Sequence, residues 1–249
     1  MSHYDNNGRS PGALQTPVRN HYFYGKLLDT RHFNLEQGYF NRKRWLVNRL
    51  VTGYGVVCGL DIVLSRERDQ VMVLPGLALD KWGREIIVPQ RSKPLPVERL
   101  PNAPDGEEEW VHLCLAYHEC ESEPTPVLAS DCEETGPCAA DTIYERYKIM
   151  VRPGRVPEPP HECNLIDLVG SKGIRFESLA QWVNEGCDTL PEDPCIPLGE
   201  IFIPDQGTCH TDDIHTERRP IVYSNDLLYE LIVGLAEELL MTRRHGRKG

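Results

Sequence analysis

The sequence predicts a mainly β fold with flanking helices: a β-sandwich or barrel-like body, an N-terminal amphipathic helix and a C-terminal helix. Three observations support this prediction. The chain has 20 Gly and 20 Pro, which indicates many turns. Short apolar runs bounded by turn residues fill its middle. Two longer segments near its ends have the apolar spacing of a helix.

The predicted domain organisation follows the order of these elements. We expect four segments in the 249 residues: a flexible N-terminal arm at 1–21, a clamp segment and amphipathic helix at 22–54, a β-rich body with long Pro/Cys-rich loops at 55–223, and a C-terminal helix with a basic tail at 224–249.

The first helix is predicted to begin at Asp29, Thr30 or Asn34, each of which can cap a helix N-terminus. We expect it to end at Gly53 and Gly55. One side is apolar and carries Phe33, Phe40, Val47, Leu46, Leu50 and Val51. Basic residues lie between these positions, namely Arg42, Lys43, Arg44 and Arg49. They form either a site for an acidic partner or nucleic acid, or a solvated outer face.

The body is predicted to consist mostly of strands. We expect a β-meander from strands at 56–64 and 71–74 and a hairpin that joins 77–80 to 85–88 around Gly83. Further strands are predicted at 110–117, 144–151, 197–203 and 221–223, with an acidic loop at 118–141 and a helix within 164–186.

The last helix is predicted to start after Ser224, which can cap it. Its apolar face comprises Leu227, Leu228, Leu231, Ile232, Leu235, Leu239 and Leu240. This face either packs on the β body or pairs with another subunit.

The acidic residues are concentrated in one segment. From Asp105 to Glu145 the chain has twelve Asp or Glu and no Lys or Arg, while its formal net charge is −11. This balance argues against nucleic acid as a main partner, because phosphate binding requires a large basic surface. The separation of charge suits contacts between copies or with a differently charged neighbour. We expect a cytoplasmic protein without a transmembrane segment, since no signal-peptide core or membrane-length apolar run is present.

Nine cysteines are present, and we expect reduced thiols because the number is odd and no export signal is seen. An alternative is a structural zinc ion, whose candidate ligands are His118, Cys120, Cys132 and Cys138. A second, weaker set consists of Cys163, Cys187, Cys195, Cys209 and His210. The remaining alternative, should the protein leave the cell, is local disulfides that join Cys132 to Cys138 or Cys187 to Cys195.

No motif for a nucleophile elbow, a phosphate-binding loop or a zinc protease is present. We therefore expect no enzyme, no catalytic residue and no cofactor apart from the zinc alternative. Asp80 and Glu85 flank a hairpin and could form a carboxylate pair, but a role in the turn for Asp80 and a solvent-facing position for Glu85 are sufficient to explain them.

Two passages carry a family resemblance. The first comprises Phe23–Leu28, Phe33, Glu36–Gln37, Tyr39, Asn48–Arg49 and Gly53–Leu60. It resembles the opening of uncharacterised proteins encoded in gene clusters of phage-tail-like contractile injection systems. The second, Pro75–Asp80 with Gly83–Ile86, is similar to a hairpin of phage tail-fibre and baseplate-associated proteins.

The resemblance implies a structural protein at or around the baseplate of such a particle, with other subunits of the particle as its partners in homo- and hetero-oligomers. The segment Phe23–Leu28 would be an extended clamp, and the basic helix would bind a neighbouring subunit. The implied interaction residues are Phe23, Tyr24, Lys26, Phe33, Phe40, Arg42, Lys43, Arg44, Arg49, Leu228, Leu231 and Leu235. The particle would assemble in the cytoplasm and then be released or docked to a membrane. The cysteine-rich acidic loops depart from the family pattern.

Two alternatives remain open at the level of sequence. The first is a surface- or carbohydrate-binding module of the tail-fibre type that uses Trp82 or Trp110. The second is a metal-dependent hydrolase that uses the Cys/His loops.

Overall fold

The computed structural model describes residues 14, 16–65, 70–100, 102, 104, 106–126, 138–158, 169–170, 173–184, 187, 189–204 and 209–245. The predicted fold class is confirmed, since β-sheets form the body and helices flank it. The helices are α1 (Thr30–Val47), α2 (Phe176–Asn184) and α3 (Asn225–His245). The strands are β1 (Gly55–Gly59), β2 (Ile62–Leu64), β3 (Gln70–Val73), β4 (Gly76–Leu79), β5 (Glu85–Val88), β6 (Leu95–Pro96), β7 (Trp110–Pro126), β8 (Cys138–Pro153), β9 (Val169–Gly170), β10 (Gly173–Ile174), β11 (Ile196–Phe202) and β12 (Ile214–His215).

Three sheets enclose one hydrophobic core. Their strand orders are β1-β4-β5, β2-β3-β6 and β12-β11-β7-β8, and β9 pairs with β10 in a separate small sheet. Each sheet contributes fully buried side chains to the core, including Ile86, Val73 and Leu113. In the part of the chain that is described, the sheets do not close into a barrel.

The predicted β-meander is wrong, because the strands from β1 to β5 belong to two sheets. β2 pairs with β3 as expected, but β1 pairs with β4. The expected strand at 56–64 is broken at Gly59 and Leu60, whose φ angles are +65° and +58°. These left-handed conformations turn the chain from one sheet into the other. The hairpin of β4 and β5 around Gly83 is confirmed.

The predicted acidic loop at 118–141 is also wrong where the chain is described. β7 and β8 pair in one constant register from Val111 with Pro153 to Pro126 with Cys138, with a gap at Glu123, whose φ angle is +58°. Only the first part of β7 pairs with β11, so the hairpin extends beyond the four-stranded sheet as an arm. On this arm Glu123 accepts hydrogen bonds from Thr142 and Tyr144, at 2.8 and 2.9 Å.

Other expectations are met in part. The helix expected within 164–186 is seen as α2, while residues 159–168 lie outside the described part. The strand at 197–203 is confirmed as β11. Instead of a strand at 221–223, a single parallel bridge joins Val56 to Ile221. No helix in the described part of the chain is both long and apolar enough to traverse a bilayer.

The C-terminal end of α1 is joined to the β body by polar contacts. A π-helical turn continues α1 from Asn48 to Thr52, and Gly53 ends it with a φ angle of +84°. The Asn48 amide donates to the Gly83 carbonyl and the Glu85 carboxylate, both at 2.9 Å. A Cβ atom at Gly83 would collide with the carbonyl of Trp45. Glycine therefore allows the close approach of helix and hairpin.

The predicted role of Asp80 in the hairpin turn agrees with its contacts. The buried Asp80 carboxylate accepts hydrogen bonds from the backbone N–H groups of Trp82 and Arg84, at 2.9 and 2.8 Å. It also pairs with the Arg84 side chain at 2.7 Å. The Arg84 guanidinium lies 4.6 Å from the ring centroid of Trp82 and 4.5 Å from that of Tyr117. Desolvation and the hydrogen bond to Glu119 raise the pKa of Tyr117.

A second buried carboxylate connects β11 to the chain after β8. Glu200 is almost fully buried, and its carboxylate accepts hydrogen bonds from Arg155 Nε at 3.1 Å and the Val156 N–H at 2.9 Å. The Arg218 guanidinium lies 3.9 Å from the same carboxylate. The hydrogen bond to Glu200 raises the pKa of Arg155, against a smaller effect of desolvation. These cations neutralise a charge that would otherwise be costly to bury.

A disulfide joins Cys114 on β7 to Cys195 just before β11, with a Cα–Cα distance of 5.8 Å. The expectation of reduced thiols is therefore wrong for these two residues. The alternative pairing of Cys187 with Cys195 is also wrong, because Cys195 is bonded to Cys114 and Cys187 is an exposed thiol. The adjacent strands β7 and β11 bring together two cysteines that are 81 residues apart in sequence.

Candidate interaction surfaces and a basic cavity

The segment before α1 forms a tight turn, so the expected extended clamp at Phe23–Leu28 is wrong in its conformation. The Lys26 N–H donates to the Phe23 carbonyl at 3.1 Å, and Gly25 has a φ angle of +80°. This arrangement is typical of a type II turn. The turn leaves Tyr24 fully exposed and Leu27 88% exposed.

The predicted apolar side of α1 is not covered by the part of the chain that the structure describes. No residue of α1 is buried. Phe33, Phe40 and Val47 are 54%, 61% and 53% exposed, and the stripe continues into the π-helical turn at Leu50 and Val51. We call these five residues the α1 stripe. A helical stripe of large apolar side chains normally faces a core or a partner.

The basic residues of α1 differ in their surroundings. Arg44 forms an ion pair with Glu85 on the β body at 3.0 Å. Arg42 and Lys43 are exposed, and the Lys43 ammonium lies 5.5 Å from the ring centroid of Tyr39. Arg49 is half-buried at the junction with the body. Arg42 and Lys43 are thus the more accessible of these four cations.

The C-terminal helix is capped as predicted, since the Leu227 N–H donates to the Ser224 hydroxyl at 3.2 Å. The three predicted interaction residues on α3, Leu228, Leu231 and Leu235, are all exposed. Ile232 is exposed as well. Of the two interpretations of this face, the structure does not favour packing on the β body.

A basic cavity lies between the segment before α1 and the first turn of the helix. Its volume is about 380 Å³. It is lined by Arg19, Asn20, His21, Lys26, Arg31, His32 and Leu35. The Lys26 ammonium donates to Asn20 Oδ1 and, at 2.9 Å, to the His21 carbonyl. Lys26, a predicted interaction residue, is therefore engaged within its own segment.

The acid at this end of α1 is used in capping. Asp29 accepts a hydrogen bond from the His32 N–H at 3.2 Å and contacts the His32 ring at 2.6 Å. Desolvation acts to raise the pKa of Asp29, but the hydrogen bonds from His32 and the charge of Arg31 together lower it. Asp29 is thus an ionised cap at the N-terminus of the helix.

Sequence reasoning did not identify this cavity. Asn20 belongs to the predicted flexible N-terminal arm, yet this residue is only 7% exposed. Its burial depends on Lys26, six residues later, and on the turn that returns the chain to α1. The only available signal was the run of basic residues and histidines from Arg19 to His32.

The arm of β7 and β8 separates the candidate zinc ligands. His118 pairs with Arg146 and Cys120 with Tyr144, whereas Cys138 pairs with Pro126. Six rungs therefore separate Cys120 from Cys138, which corresponds to about 20 Å along a strand. Ligands of one zinc ion cannot be this far apart. Cys132 lies outside the described residues. Among the residues that are described, no group of three or more His, Cys, Asp or Glu is placed to hold a metal ion.

The second cysteine set is not brought together either among the residues described. Cys195 is in the disulfide, Cys187 is exposed, and Cys209 is buried with its sulfur 3.9 Å from the Phe202 carbonyl. Cys163 lies outside the described residues. The hydrolase alternative gains no supporting geometry from these loops.

The two tryptophans of the carbohydrate-binding alternative are packed within the body. Trp82 Nε1 donates to the Pro191 carbonyl at 2.8 Å, and Arg84 lies over its ring. The Trp110 ring contacts Phe202 and lies under Arg155, whose guanidinium carbon is 4.2 Å from the ring centroid. Stacking on a sugar requires an open ring face. The geometry of these rings therefore does not favour the alternative.

Comparisons with known proteins give a distant likeness among solved structures. No protein-family model matches the chain, and no curated protein sequence matches it. The fold is similar to that in the crystal structure of TssK, with a TM-score of 0.38 and 9% sequence identity. The match covers 82% of this chain and 41% of the TssK chain. A likeness at this level carries no functional argument.

Proposed function

We propose that this chain is a structural component of a phage-tail-like contractile injection particle and assembles with other subunits at or around the baseplate. The observation that carries the assembly role is the exposed α1 stripe. The assignment to this class of particle rests on the sequence resemblance of Phe23–Leu28, Gly53–Leu60 and the β4–β5 hairpin.

The energetics of the α1 stripe support burial against another polypeptide. Transfer of one large apolar side chain from water to an interface contributes about 1.5–3 kcal/mol. Phe33, Phe40 and Val47 lie one above the other at seven-residue spacing, so one partner helix or groove could cover all three. Their combined burial would offset part of the cost of association.

The surroundings of the stripe indicate the chemistry of the partner. Residues 29–52 carry five Arg or Lys and two Asp or Glu. Arg42 and Lys43 are exposed on the same helix as the stripe. The partner surface is therefore apolar in its centre and acidic at its rim. The exposed leucines of α3 provide a second contact surface.

The proposal is tested by co-sedimentation with assembled particles. A triple variant, Phe33→Ser, Phe40→Ser and Val47→Ser, is expressed in place of the natural chain in cells that make the sheath and tube. We expect the amount of chain that sediments with the particles to fall at least tenfold. The folded body should persist, because none of the three side chains is buried.

The control variant is Ile87→Thr, which also removes an exposed apolar side chain but lies on β5 of the body. It should sediment like the natural chain. The proposal fails if the natural chain never co-sediments with particles, or if the triple variant sediments to the same extent as the control. Circular dichroism of both variants checks that the fold is retained.

A further inference from the structure

We propose that the basic cavity before α1 binds an oxyanion, that is, a carboxylate or phosphate group. This inference goes beyond the proposed assembly role and does not depend on it. Three observations lead to it: the surplus of cationic side chains, the lack of ion pairs for two of them, and one buried hydrogen-bond donor without an acceptor.

The charge of the cavity favours an anion. Arg19, Lys26 and Arg31 line it together with two histidines, and no Asp or Glu is among the lining residues. Neither Arg19 nor Arg31 has a carboxylate within 4.0 Å among the residues described. Guanidinium groups bind carboxylate and phosphate oxygens through two parallel hydrogen bonds. In the described part of the chain these two guanidinium groups form no ion pair, although the charge of Arg31 acts on Asp29, whose carboxylate contacts the His32 ring.

Asn20 contributes a donor whose identity is fixed by Lys26. An ammonium group can only donate, so the Asn20 atom that it contacts is the amide oxygen. The Nδ2 group is therefore the other end of the amide. It is buried and has no hydrogen-bond partner in the described part of the chain. Buried donors are almost always satisfied, and an anion held in the cavity would supply the acceptor.

The ligand is inferred from the donor set. The N–H groups of Asn20, Arg19 and Arg31 can only donate, which suits a group with several acceptor oxygens. A volume of about 380 Å³ accommodates a free ion with water or an acidic side chain of a second polypeptide. A free ion and an acidic side chain of a partner present the same kind of acceptor oxygens. The test therefore uses a separate probe for each of them.

The test measures binding of inorganic phosphate and of a hexaglutamate peptide to the full chain by calorimetric titration at low salt. The decisive variant is Asn20→Asp. The aspartate keeps an acceptor for Lys26 but replaces the free donor by a second oxygen. We expect it to weaken binding at least tenfold with an unchanged melting temperature. Arg31→Gln should also weaken binding about tenfold.

The matched control is Arg146→Gln, which removes one positive charge at an exposed position on β8, outside both the cavity and α1. It should change the affinity less than twofold. Binding of phosphate alone would indicate a free ion, and binding of the peptide alone would indicate a partner carboxylate. The inference is overturned if neither probe binds saturably, if Asn20→Asp binds as the natural chain does, or if the control weakens binding as much as Arg31→Gln.

Discussion

In the β body, Leu113, Ile196 and Leu198 are fully buried, whereas on α1 Phe33, Phe40 and Val47 are more than half exposed. Both regions have regular apolar patterns in the sequence. The pattern on a strand or helix identifies its apolar side, but not the polypeptide that covers this side. In the body the cover is the same chain, and we propose that at α1 it is another one.

Charged residues differ between the two regions in the same way. In the body, Glu200 is buried and bound by Arg155 and a backbone N–H group. On α1, Arg42 and Lys43 face solvent. Removal of a charge from the body should therefore affect folding, whereas substitutions on α1 should affect association. Three predictions test this difference.

The largest effect on the free energy of unfolding is expected for Glu200→Ala. The substitution leaves Arg155 beside a buried site without its carboxylate and removes the acceptor of the Val156 N–H. We expect a loss of about 3–5 kcal/mol in the free energy of unfolding, measured by urea denaturation. Glu158→Ala is the control, because Glu158 is exposed and contacts Arg218 of the same network. A loss for Glu200→Ala no greater than that of the control would contradict the prediction.

A smaller effect on the free energy of unfolding, which depends on pH, is expected for Asp193→Asn. The hydrogen bond from Arg152 lowers the pKa of Asp193, against desolvation and together with the Cys195 N–H. Its contribution is therefore present above the ordinary pKa of 3.8 and is lost as the pH falls through the lower folded value. Because the pair of Arg152 and Asp193 is partly exposed, we expect it to contribute less than about 1 kcal/mol to the free energy of unfolding.

Urea unfolding of both proteins at several pH values checks this sign. The Asn variant should be less stable than the natural chain at pH 7, and the difference should shrink as the solution is acidified below pH 4. Added salt should also reduce the difference at pH 7. A difference that is constant across this range would show that the carboxylate charge is not its source.

The smallest effect on folding is expected for Phe40→Ser. The Phe40 side chain is 61% exposed, and serine has a helix propensity similar to that of phenylalanine. We expect the free energy of unfolding of the isolated chain to change by less than about 0.5 kcal/mol. A loss of 2 kcal/mol or more in thermal or urea unfolding would mean that α1 packs against its own body in solution.

Local signals were sufficient for several elements. α1, the β4–β5 hairpin, β11 and α3 could be predicted from caps, glycine turns and apolar spacing within each segment. The sheet to which each strand belongs could not be predicted in this way, because the pairing of β1 with β4 depends on the left-handed turn at Gly59 and Leu60. The β7–β8 arm is not predicted, although Glu119 and Glu121 alternate with Cys120 and Ser122 along β7. The acidity of this segment instead favours a loop when the sequence is considered alone.

The candidate sites were less predictable than the elements. The exposure of the α1 stripe could not be derived, because periodicity is the same for a covered and an uncovered helix. The basic cavity requires a contact between Asn20 and Lys26 across a turn. The sequence predicts a flexible N-terminal arm at 1–21, so it gives no indication of this contact. The interaction residues on α1 and α3 stay predictions until association is measured.

The bond between Cys114 and Cys195 has a topological consequence. It closes a covalent ring that contains the whole β7–β8 arm beyond Cys114 and all of α2. A protease that cuts the backbone once anywhere inside this ring would yield two fragments that migrate as one species until a reductant is added. The β11 side of the sheet would thus stay tethered to β7 even after the connecting chain is severed.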